Sequence, residues 1–161
     1  MRISKIVVLG ASLMVGLLVT ASGAGSAGSA TILKAETLAG VSGPYVGATN
    51  PIRGVNGGGL PWDIAEGKVV LAADGSLEIK VDGLVLATTG TNPVGSFRAI
   101  VSCQTVVDGA AAVTNVSTDP FPATTTGDSK IEVMVSLPDP CFAPIVFVTS
   151  PTGSWFAVTG A

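Results

Sequence analysis

Residues 68–81 read KVVLAADGSLEIKV. Two apolar-rich runs, Lys68–Ala73 and Leu77–Val81, flank the pair Asp74-Gly75. Asp-Gly is a strong local signal for a hairpin turn, because both residues tolerate the backbone that reverses a strand. In the second arm Leu77, Ile79 and Val81 alternate with Glu78, Lys80 and Asp82. A period of two puts the apolar set on one face and the charged set on the other. This is a strand with one buried and one wet face, the pattern of an antiparallel sheet.

The same pattern recurs on both sides of the hairpin. Thr31–Ala39 reads as a first strand, and GLVLATT continues after the hairpin from Gly83. Gly95–Val107 is the longest candidate; it is apolar on both faces over Ala99–Cys103 and is predicted to run centrally. AAVTNVST follows Asp108-Gly109. Ser129–Leu137 alternates again, with Ile131, Val133, Val135 and Leu137 against Lys130, Glu132, Met134 and Ser136. PIVFVTS and SWFAVTG close the chain around a tight PTG turn. The chain thus holds about eight or nine short strands and no sustained helical period. Connections this short exclude crossover helices, so pairing is antiparallel. The sequence predicts an all-β fold, an antiparallel two-sheet β-sandwich that is Ig-like in the loose sense, with a β-barrel as the alternative. TDPFPATTTGDS, residues 118–129, reads as a long exposed loop.

Residues 1–30 stand apart. Arg2 and Lys5 precede an apolar run from Ile6 to Val19, followed by small residues through Ala30. That order is the signature of a secretory signal peptide. The run is about 14 residues, short of the ~20 that a membrane-spanning helix needs. Cleavage after Ala24 or Ala30 fits the small residues there. Residues 31–161 then form one domain, and no membrane anchor is expected in the mature form. A final strand that reaches the last residue leaves no sorting tail, so the expected location is extracellular.

Without Arg2 and Lys5, six basic side chains face eleven acidic ones, a net charge of −5. The basic residues do not cluster. That balance argues against nucleic acid and anionic membrane surfaces as partners. Cys103 and Cys141 are the only cysteines. In an exported chain an even count predicts one disulfide. The chain-entropy model gives about 4 kcal/mol for a loop of this size. The chain has no histidine. Ser-His-Asp and Cys-His nucleophiles are therefore excluded in their usual form, and zinc and copper lose their commonest ligand. The sequence implies no cofactor, and the acidic loop at 118–129 lacks the spacing of an EF-hand.

GVNGGGLPW, residues 54–62, is the stretch with the most functional interest. Glycines at 54, 57, 58 and 59 do not fit G-x-G-x-x-G, and Leu60-Pro61 stands where a phosphate loop needs Lys-Ser/Thr. Consecutive glycines favour a sharp reversal with positive φ; Pro61 then fixes the exit and Trp62 returns to the core. The functional version makes Asn56, Trp62, Asp63 and Glu66 a ligand-contact loop, with the indole as a stacking face. Asp63 and Glu66 are the carboxylate pair to test for acid–base chemistry. With aromatics only 5% of the chain, the supply barely covers a core. Trp155-Phe156, adjacent in a strand, point to opposite faces. Arg98, inside the central strand, needs an edge position or a structural salt bridge. Asn115-Val116-Ser117 fits a glycosylation sequon.

The expected function is that of a secreted, non-catalytic module that binds an extracellular protein or a cell-surface component through sheet edges and rigid loops. One alternative is an extracellular protease inhibitor that uses the proline-rich, disulfide-tethered loop from Pro138 to Pro144. The other is a carbohydrate-binding module, or a glycosidase without histidine, centred on Trp62, Asp63 and Glu66.

Overall fold

The computed structural model describes residues 29–160. Apart from Ser29 and Ala30, the expected signal peptide lies outside them. The strands run in the order β1 (Thr31–Ala35), β2 (Leu38–Gly40), β3 (Trp62–Asp63), β4 (Glu66–Ala72), β5 (Ser76–Asp82), β6 (Val85–Leu86), β7 (Ser96–Val107), β8 (Ala110–Ser117), β9 (Phe121–Pro122), β10 (Ser129–Met134), β11 (Phe142–Thr149) and β12 (Trp155–Thr159). One short 3-10 turn, Gly43–Tyr45, is the helical element among the described residues. Four strands form one sheet in the order β1-β4-β5-β10; a second sheet runs β2-β12-β11-β7-β8, with β9 also on β7. All pairings between strands are antiparallel. The expected β-sandwich is found. β9 comes close to β10, where Ser129 Oγ donates to Pro122 O, but among the described residues no strand pairing joins the sheets into a barrel.

The 68–81 hairpin forms as β4 and β5, and its alternation sets the core. Val69, Ile79 and Ile131 stand directly opposite one another across three strands, all fully buried. Fully burying one such side chain is worth about 1.5–3 kcal/mol. The turn differs from the two-residue Asp74-Gly75 loop expected. Ala73, Asp74 and Gly75 form a three-residue loop, with the Gly75 amide donating to Ala72 O and Gly75 at φ +91°. Glycine is required there twice over, because a Cβ would also strike the Val135 carbonyl oxygen. Asp108-Gly109 does make the two-residue turn, with φ of +50° and +79°.

Other expectations need correction. Thr31–Ala39 is not one strand: it breaks at Glu36-Thr37, so that β1 enters the four-stranded sheet and β2 the six-stranded one. GLVLATT contributes only the two residues of β6, which pair with Trp62 and Asp63. Residues 118–129 are not a loose loop. Phe121 and Pro122 pair with β7, and the turn at 124–128 is tied by its own threonines and Asp128.

β7 is interior, as expected, and Cys103 on it bonds to Cys141 across 38 residues of sequence. Phe97, Ala99, Val101 and Cys103 are fully buried and share one face of β7. The opposite face is covered as well. Ile100 stands opposite Phe147, and Phe147 opposite Val158. The connection between β2 and β3, residues 41–61, packs over this face through Val41, Val55 and Tyr45. Burial of both faces explains why β12 has no exposed residue and no alternation.

Candidate functional site

The glycine segment belongs to that cover. The Gly58 amide donates to Trp155 O, and the Trp155 amide donates to Asn56 O. Residues 56–58 thus run along β12 as an extra hydrogen-bonded strip. The expected positive φ is absent from the three consecutive glycines; in this stretch it belongs to Arg53 and Gly54. Two of the three answer to close approach instead. A Cβ on Gly57 would overlap the Tyr45 carbonyl oxygen, and one on Gly58 would lie 3.1 Å from the Phe156 ring and 3.3 Å from Trp62 Nε1. Gly59 has open space around it.

Trp62 is not a ligand face. Its side chain is buried (4% exposed), and its ring stacks on Phe156 at 3.8 Å between centroids and 16° between planes. Phe97 meets both rings edge-on. Trp155 is equally enclosed (2% exposed), between Phe147 on its own sheet and Tyr45 of the covering connection. The two adjacent aromatics do pack in different directions, but neither offers a platform. Asn56 and Asp63 are exposed, and Glu66 is exposed and paired with Lys68 at 2.9 Å. The small cleft that Glu66 lines, about 170 Å³, contains Glu36, Leu38 and Ile64 and not Asp63. The four residues of the expected loop are therefore not gathered around one space.

The charges are sorted by sheet. The five ion pairs among the described residues all lie on or beside the four-stranded sheet. Lys68, Lys80 and Lys130 stand directly opposite one another in one cross-strand row. Like charges in register repel; here Glu66 and Asp82 flank the row on one side and Glu78 and Glu132 on the other. Each lysine reaches a carboxylate two residues away on its own strand, at 2.7–2.9 Å. These hydrogen bonds raise all three ammonium pKa values above the ordinary 10.5.

Glu36 is held below its ordinary value, first by its hydrogen bond from Lys34. Asp128 is also lowered, first by the Thr126 hydroxyl and then by the Gly83 amide. Both shifts favour a fixed anion over a proton donor.

In the six-stranded sheet the strands carry one charged residue, Arg98. The expected salt bridge is not what holds it. Its guanidinium donates to the carbonyls of Thr118 and Pro151 at 3.0 and 3.1 Å. Arg53 does similar work on the covered face: Nη1 donates to Ser102 O and Ala143 O, both at 2.9 Å, and Asn115 Nδ2 donates to Arg53 O.

Beyond Arg53 the cover stops. Phe142, Gln104 and Val113 form one cross-strand row on β11, β7 and β8. Phe142 is 59% exposed and Val113 47%; Val106 and Val107 near the hairpin tip are about as open. β7 and β8 continue past the last β11 partner as a two-stranded ribbon ending at Asp108-Gly109. This exposed apolar end did not stand out in the strand pattern. The signal that marks it is a lack of charge: between Arg98 and Asp119 the one charged residue is Asp108.

The loop of the inhibitor alternative, Pro138–Pro144, lines a cleft of about 380 Å³ with Ile32, Ala73 and Leu137. Its exposed Phe142 is already paired with β7, and Ala143 has φ +42°. Among the described residues no group of three or more His, Cys, Asp or Glu could hold a metal, and no helix is long and apolar enough to cross a membrane. No family model matches the chain, and no curated protein or solved structure is detectably similar to it.

Proposed function

We propose that this protein is a secreted, non-catalytic binding domain that meets an extracellular protein through the uncharged end of its six-stranded sheet. One observation carries the reading: the charges gather on the four-stranded sheet, while Phe142, Val113 and Val106 lie exposed together on the other. Exposed apolar side chains gathered around a single uncharged polar residue, Gln104, mark a contact surface. The Cys103–Cys141 bond suits an oxidising compartment outside the cell. Signal-peptide removal after Ala24, rather than Ala30, retains two contacts of the fold: the Asp74 amide donates to Ser29 Oγ and the Ala73 amide to Ala30 O.

The test is photo-cross-linking in the exported protein. A benzophenone side chain at position 113 is expected to give a discrete cross-linked product, and the same group at position 80, on the charged sheet, none. Equal labelling at the two positions, or none at either, contradicts the reading.

A further inference from the structure

We infer that the partner at this surface is a second copy of the chain, paired antiparallel along the free edge of β8. The inference rests on the reading above and names its occupant. β8 is an edge strand of eight residues, AAAVTNVS, with no charge and no proline. Alternate residues of an edge strand turn their N–H and C=O groups away from the sheet. Among the described residues no hydrogen bond occupies those groups between Ala110 and Ser117.

The other edges are guarded. β1 carries Lys34, β10 carries Lys130 and Glu132, and β2 has only three residues. Charged side chains and short strands are the usual means of keeping sheet edges from pairing between molecules. The one edge without them is also flanked by open apolar side chains, Val106, Val107 and Val113.

The charged rows do not stand in the way of self-pairing. A chain of net charge −5 repels its own copies, but its charged rows lie on the far sheet. Sheets in a sandwich are about 10 Å apart, more than the ~8 Å screening length at physiological salt. Two β8 edges therefore meet clear of those rows; the charges beside them are Asp108 and Asp119 at the strand's two ends, which antiparallel pairing brings toward each other, so the dimer should tighten as salt rises. Paired along its length, the edge covers a strip about 27 Å long and, for one sheet with its side chains, about 10 Å tall, roughly 270 Å² per copy. A standard interface covers ~800 Å² per partner. The smaller area fits a reversible dimer that dissociates on dilution.

Sedimentation of the mature protein from about 1 mM down to about 1 μM tests this. The expected result is an apparent mass that doubles toward the concentrated end. V113K, which sets two lysines near each other across the new pair, is expected to stay monomeric, as is V113E. An equimolar mixture of the two is expected to recover the double mass. Unchanged circular dichroism and Tm in each variant show that the fold is intact. A wild-type chain that is monomeric throughout, or a dimer indifferent to V113K, overturns the inference. If the position-113 cross-link then joins a different protein, the binding reading stands and self-pairing falls; if it yields a product of twice the chain mass, both stand.

Discussion

Trp62 lies flat on Phe156, with ring centroids 3.8 Å apart, so the protein's most conspicuous loop ends inside the core. Replacing a large buried aromatic by alanine removes its burial and leaves a cavity. Trp62→Ala is expected to cost about 3–5 kcal/mol in urea unfolding, and Trp62→Phe less. With both tryptophans enclosed, emission of the native protein should be blue-shifted and insensitive to added polysaccharide. A red-shifted spectrum that moves with glycan would restore the indole as a binding face.

The three glycines at 57–59 separate steric need from backbone freedom. Gly57→Ala drives a methyl into the Tyr45 carbonyl and should cost at least about 1–3 kcal/mol. Gly58→Ala meets the Phe156 and Trp62 rings at 3.1–3.3 Å and should fall between its neighbours. Gly59→Ala meets nothing and should lie within about 0.5 kcal/mol of wild type. Equal losses at all three positions in a denaturant series would show that packing is not the reason for the run.

Cys103 is fully buried and its bond spans 38 residues. Cys103→Ser/Cys141→Ser is expected to lower stability by up to about 4 kcal/mol through the freed loop entropy. Thiol counting under denaturation without reductant should find none in the exported protein. Two free thiols would remove the staple.

Asp128 gives the pH dependence a sign. Its folded pKa sits below the ordinary 3.8, held there first by the Thr126 hydroxyl and then by the Gly83 amide. The resulting stabilisation is fully present above pH 3.8 and fades as pH falls through the lower folded value. Wild-type Tm should therefore drop below about pH 4, and Asp128→Asn should drop less over the same range. Glu36, lowered in the same direction, keeps the variant from becoming pH-independent. A steeper acid loss in Asp128→Asn would reverse the assignment.

What the sequence revealed depended on distance along the chain. The β4–β5 hairpin was legible because its period and its turn are neighbours, and Cys103–Cys141 because only one intramolecular pair can form. The break between β1 and β2 was not, since apolar residues lie on both sides of Glu36-Thr37 and only the distant partners, β4 and β12, draw the halves apart. Trp62 was ambiguous for the same reason: Phe156, which covers it, lies near the other end of the chain. The scarcity of aromatics had pointed the right way. Local sequence points the glycine run toward turning, because a clash with Tyr45 O cannot be read from it.

Residue-resolved hydrogen exchange on a dilute sample is the most direct test of the central claim, a two-faced core with one open, uncharged edge. Amides of Val69, Ile79, Ile131 and Phe147 should exchange slowest, through global unfolding. Alternate amides between Ala110 and Ser117 should exchange far faster, as an unpaired edge requires. Uniform strong protection along β8 in the dilute monomer would mean that the edge is already covered, and would contradict the account.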